Sequence, residues 1–267
     1  MNRRTLCIGI AIVIAGCATS PLGRSQLMLV GDAEMDKMGV EAFEQLKNEG
    51  KVSSESQVNG YVTCVAHAIT SAIDSKQYPN AAGPWEVRVF QDDSANAFAL
   101  PGRKIGVHTG LLKVAKNQDQ LATVIGHEVG HVLAKHGAER VSDQFATQIA
   151  AQGAGALLGA VSSPATQGLA MAALGVGAQG VVLKFSRTQE SEADALGLDL
   201  MASAGFDPRE SVTLWKNMAA ASEGQPIEFM STHPSHETRI QALEERIPQD
   251  LPTAEQARKQ GRNPHCR

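Results

Sequence analysis

Gly126-His127-Glu128-Val129-Gly130-His131 is the stretch on which the reading of this 267-residue chain turns. On a helix, residues four apart share a face, so both imidazoles project into one cavity about one turn apart. A catalytic zinc ion takes three protein ligands, with nitrogen at about 2.0–2.1 Å, and keeps one position for water. Glu128 follows the first histidine at once, which sets its carboxylate beside that open position, where it can accept a proton from the water. The flanks agree with a helix. Leu121, Val124, Ile125, Val129, Val132 and Leu133 give it an apolar side, and Asn117 offers an N-cap. The spacing predicts a helix over about 118–136, closed by Gly137. The bland alternative is a helix with two surface histidines.

A third ligand has to come from elsewhere. The HExxHxxGxxH pattern asks for Gly at 134 and His at 137, but this chain has Ala134 and Gly137, so His136 is read as a residue at the helix C-terminus, well placed against the dipole. Glu190-Ser191-Glu192-Ala193-Asp194 is the better source. Glu190 and Asp194 are four apart and face one way on a helix. One carboxylate can bind zinc while the other accepts a hydrogen bond from the second nitrogen of a ligand imidazole, fixing its tautomer. The set expected is therefore His127, His131 and Glu190 on one Zn2+ ion, Asp194 behind a histidine, and Glu128 as the proton acceptor.

With Asn96-Ala97-Phe98-Ala99 upstream and Ser231-Thr232-His233-Pro234-Ser235 downstream, HExxH and ExxxD together resemble the HtpX and type I CAAX prenyl protease family, within it the soluble periplasmic lipoprotein members. The likeness covers about residues 30–247. It implies an α+β, mostly helical, gluzincin-like metalloprotease fold with a small mixed sheet over the HExxH helix. It also implies that Asn96, Ala97, Phe98 and Ala99 form an edge strand above that helix, able to hold an extended peptide by main-chain hydrogen bonds. His233 would reach the site, either to stabilise the oxyanion or to fill the fourth zinc position at rest, and Arg239 matches a family position nearby. A capping histidine and a surface arginine are the plain alternatives. Integral-membrane relatives carry extra spans that this chain lacks, so prenyl-protein processing does not carry over.

Around this centre the chain sorts into segments. Arg3 and Arg4, the apolar run Leu6–Ala15 and Gly16-Cys17 have the order of a secretory signal, and Ile14-Ala15-Gly16-Cys17 resembles a bacterial lipoprotein box. Residues 1–16 are thus expected as signal peptide and 17–30 as a tether lipidated at Cys17, anchored in the outer membrane and facing the periplasm. The metalloprotease domain is expected over 31–247 and a loose polar tail over 248–267. Helical spacing marks 32–47 and 56–74, Trp85–Phe90 alternates as a strand, and Pro101-Gly102-Arg103 can turn a hairpin between 97–100 and 104–108. Helices are expected at about 143–158, 165–183, 186–204, 207–221 and 234–247.

Cys64 and Cys266 remain as an even pair in an oxidising compartment. They can join the tail to an early helix by a disulfide, or stay a buried thiol and a loose one; nothing in the sequence fixes their distance. A net charge of −4 with no basic stripe argues against nucleic acid as a partner. From Gln144 to Leu183 no side chain is charged. That stretch is expected to be a small-residue helical hairpin over the site, or else a surface for lipid or outer-membrane assembly proteins. Substrates are expected to be unfolded or extended polypeptides. The rival reading is a periplasmic chaperone or assembly factor whose proteolysis is gated or incidental.

Overall fold

The computed structural model describes residues 16–152, 184–221, 228–233 and 237–267. The expected signal peptide up to residue 15, the expected helix at 165–183 with most of the uncharged stretch, and Pro234 at the start of the last helix lie outside them.

Two helices open the domain, α1 (Asp32–Glu49) and α2 (Ser56–Ser71). Three strands follow, β3 (Glu86–Phe90), β4 (Ala97–Leu100) and β5 (Lys104–His108). The sheet runs β3-β5-β4, parallel between β3 and β5 and antiparallel between β5 and β4. Pro101, Gly102 and Arg103 make the hairpin turn, with Gly102 and Arg103 both at positive φ. The fold is α+β, mostly helical, with the small mixed sheet expected. The His108 N–H donates to the Asn96 carbonyl. Alternation then directs the N–H and C=O groups of Ala97 and Ala99 away from β5, toward the open edge.

Helix α3 (Gln118–Leu133) is the buried axis. The Asn117 side chain caps it by accepting from the Gln120 N–H, as expected. Helix α5 (Arg187–Ala204) crosses it, opened by a capping box of Ser186 and Gln189 and closed by Gly205 in the left-handed region. The crossing brings backbone against backbone. A Cβ on Gly126 would stand 2.9 Å from the Gly197 carbonyl oxygen, and one on Gly130 2.7 Å from that of Ala193. The glycines of the opening motif are therefore packing residues, and they decide how near the two motifs come.

Three expectations are corrected. Helix α3 ends at Leu133, not at His136; Lys135 takes φ 56° and the chain turns straight into α4 (His136–Gln152). The side chain of Gln26 caps the break by donating to the Ala134 carbonyl. Residues 17–30 are not a bare tether, because β1 (Cys17–Thr19) and β2 (Ser25–Leu27) pair as a hairpin with Ser20 and Gln26 buried.

The last helix, α8 (Glu237–Lys259), runs through Pro248 and Pro252 into the segment expected as a loose tail. Each proline removes one N–H from the ladder. Burial of Leu243, Ile247, Ala254 and Ala257 holds the helix, and a Cys64–Cys266 disulfide pins the chain end beyond it. Helices α6 (Glu210–Ala221) and α7 (Glu228–Thr232) complete the described chain. Among the described residues no helix is long and apolar enough to cross a membrane.

Candidate metal centre

At the crossing, α3 supplies His127 and His131, α5 supplies Glu190, and His233 follows directly on α7. One donor atom from each lies within 4.8 Å of every other, and all four residues are buried. The two histidines face each other at 3.0 Å between their Nε2 atoms. Glu190 stands 3.5 Å from each of those nitrogens. His233 Nδ1 lies 3.2 Å from His127 Nε2 and 3.0 Å from Glu190 Oε1. Donors bound at about 2.0–2.2 Å to one tetrahedral cation stand about 3.3–3.6 Å apart. The Glu190 edges to the two Nε2 atoms fall in that range and the edges of 3.0–3.2 Å lie a few tenths of an ångström inside it. Three imidazoles with a carboxylate are the chemistry of a borderline-soft divalent ion. The residues fit a metal ion.

What surrounds the donors fixes their charge. Burial would raise Glu190, but the facing His233 and hydrogen bonds from His131 and His233 outweigh it and hold the carboxyl far below its usual range. Burial pushes His131 well down, keeping the neutral form that a metal ligand needs. His233 is raised despite its burial, because Glu128 and Glu190 face it. Aromatic rings wall the site: Phe185 stacks on His131 at 3.9 Å and Phe229 on His233 at 4.5 Å between centroids.

Asp194 accepts from His127 Nδ1 at 2.8 Å. Arg239, in the first turns of α8, donates to Glu190 Oε2 at 2.8 Å and to Asp194 Oδ1 at 2.6 Å, its guanidinium lying 3.5 Å over the Trp215 ring. Burial alone would raise Asp194; Arg239 and His127 hold it below the ordinary value. Glu128 is buried beside His233, whose Nε2 is 3.4 Å from its Oε1, and burial raises its pKa. The Ala99 N–H on the open edge of β4 opposes that rise. A groove of about 350 Å³ runs between this edge and α3, with Phe98, Glu128, His131 and His233 among its lining residues.

Three neighbours of the site were not legible as such. His136 is fully buried with its Nδ1 2.8 Å from His131 Nδ1, against the expected place at a helix end. Glu192, the middle acid of the α5 run, lies 3.1 Å from His136 Nε2. Trp215 carries no motif at all. The only signal in the sequence was a third histidine five residues past His131, which points back to it once α3 breaks at Lys135.

A helix bearing HExxH, crossed by a second helix whose glutamate completes the donor set, defines a gluzincin-type metallopeptidase domain. Residues 56–247 match the family model of Peptidase family M48, and the chain belongs to that family. Among its relatives, mitochondrial metalloendopeptidase OMA1 of Schizosaccharomyces pombe is 40% identical over 62% of this chain and 47% of its own length. The beta-barrel assembly-enhancing protease of Escherichia coli is 27% identical over 83% of this chain and 45% of its own. A putative protease of the same description from Vibrio cholerae is 30% identical over 90% and 48%. The chain thus spans about half the length of these curated relatives.

Proposed function

We propose that the protein is a zinc-dependent endopeptidase acting on misfolded or unassembled envelope proteins, held by lipid on Cys17 at the periplasmic face of the outer membrane. The convergence of His127, His131 and Glu190 at the α3–α5 crossing carries the reading. These three would hold the ion, and two imidazoles with one carboxylate leave it a fourth position, as in hydrolytic zinc sites. The assembly-related names of the bacterial relatives support the envelope, and the lipoprotein-like Ile14-Ala15-Gly16-Cys17 favours it over the mitochondrial setting of OMA1.

When bound, zinc supplies Lewis-acid polarisation of the scissile carbonyl and a more acidic water. Glu128, next in sequence to His127 and buried beside His233, is placed to take the proton from that water and deliver it to the leaving amine. The carbonyls of Ala97 and Ala99 offer main-chain acceptors to an extended peptide along the groove, while their N–H groups donate to Asn96 Oδ1 and to Glu128. Arg239 holds Glu190 and Asp194 in register. His233, with Nδ1 3.2 Å from His127 Nε2, would either offer a fourth donor to the ion at rest, to be displaced by an entering peptide, or help to steady the oxyanion.

Glu128→Gln is expected to keep zinc and to cut unfolded casein about 10²- to 10⁴-fold more slowly. Undiminished cleavage by the purified variant would end the assignment. The position of His233 among the donors also favours a second reading, a gated chaperone or assembly factor. Full rescue of a deletion strain by Glu128→Gln would select it.

A further inference from the structure

His131 turns Nε2 toward the other donors, which leaves Nδ1 pointing away from them at the Nδ1 of His136. One nitrogen of that pair carries the proton and the other accepts it. Since Nε2 of His131 is the ligating atom on the zinc reading, its Nδ1–H must donate to His136 Nδ1. His136 is then the Nε2–H tautomer and donates to Glu192 Oε2 at 3.1 Å. Glu192 is 4% exposed and is held in turn by the N-terminal hairpin: Arg24 Nε donates to it at 3.2 Å and the Leu22 N–H at 3.4 Å. The other end of the Arg24 guanidinium donates to both oxygens of Glu139 on α4. Gln26 and Gln189 also donate to Glu139, so the carboxylate cannot swing away.

Arg24 is the cation between the Glu139 and Glu192 carboxylates. Without it two buried acids lose the charge between them, and Glu192 keeps only the neutral donors Ser20 and the Leu22 N–H to hold it toward His136.

We propose that Arg24, Glu192 and His136 form a positioning relay that fixes the ring and tautomer of His131, so that the β1–β2 hairpin is part of the metal centre. The relay rests on the zinc reading of that site. It follows that the seven-residue reach from Cys17 to Arg24 links the segment nearest the anchor to the grip on the ion.

The test measures zinc dissociation constants by chelator competition on the full chain, with the visible spectrum of the Co2+-loaded protein as a second readout. Arg24→Ala and His136→Phe should each weaken zinc 10- to 100-fold, the loss typical of partners behind ligands, and shift the cobalt bands. Arg24→Lys, which keeps the cation, should recover most of the affinity. The double variant should bind no worse than His136→Phe alone, because Arg24 acts through that ring. Wild-type affinity and spectrum in Arg24→Ala, or strictly additive losses in the double variant, would overturn the relay. Should His136→Phe fail to fold, Glu192→Gln changes packing least, and an unchanged zinc constant there is equally fatal. Wild type that binds no zinc removes the underlying reading instead, so the two failures are distinguishable.

Discussion

His127 and His131 sit one turn apart on the same helix, yet they are backed from opposite directions. Behind His127 stands Asp194, on the turn of α5 that follows Glu190, and behind that Arg239 from α8, laid on Trp215. Behind His131 stand His136, Glu192 and Arg24, reaching out to the N-terminal hairpin. The first support is short, doubly charged and built from the family motifs. The second is longer, passes through a neutral ring and depends on a segment outside the M48 match, which begins at residue 56. One metal centre thus ties down both ends of the chain, because each imidazole has a second nitrogen that must be satisfied when buried.

The largest effect comes from removing both supports at once. A side chain at Gly130 would meet the Ala193 carbonyl, which is backbone and cannot rotate aside. Gly130→Val should therefore push α5 off α3, cost about 1–3 kcal/mol in urea unfolding of the metal-free protein, and abolish stoichiometric zinc binding. A variant that binds zinc normally would show that the crossing is looser than its contacts imply.

Asp194→Asn tests the His127 side alone. An amide keeps the shape but gives up the charge facing Arg239, and zinc affinity should fall about 10- to 100-fold. If Asp194→Asn and Glu192→Gln lowered affinity equally, the two supports would be equivalent despite their different build.

The smallest effect concerns how α8 is held. Asp250, on α8, is raised to about 7 by burial and by a hydrogen bond shared with Asp199 of α5, against the pull of Arg246. The folded protein keeps a proton there that the unfolded chain gives up near pH 4, so this group's contribution to stability is whole below about pH 4 and lost as pH rises through about 7. In Asp250→Asn that slope should vanish. Melting curves from pH 5 to 8 should show wild type losing a few degrees relative to the variant; parallel curves would mean that Asp250 is ionised throughout.

Much of this molecule was legible early, for different reasons in different places. Asn117 at the N-cap of α3, Gly205 at the end of α5 and the turn at 101–103 follow from local backbone chemistry, which neighbours cannot easily override. The HExxH and ExxxD spacings gave the faces on which the donors would lie. Pro248 opens the segment expected as a loose tail, yet α8 runs through it, since the proline forbids one hydrogen bond while the apolar face of α8 gains more by continuing along the core. His136 misled for a related reason. Gly137 looked like the helix stop, but Lys135 accepts positive φ so that the next turn can fold back under His131.

By itself the sequence determined which side chains share a helical face, because that depends only on a period of 3.6 residues. Only the tertiary structure decided that the two faces meet, that His233 and Arg239 close over them, and that an arginine near the chain's start braces a histidine more than a hundred residues later. Those outcomes depend on how closely two backbones can approach at Gly126, Gly130 and Gly197, a property of the packed crossing and of no single segment.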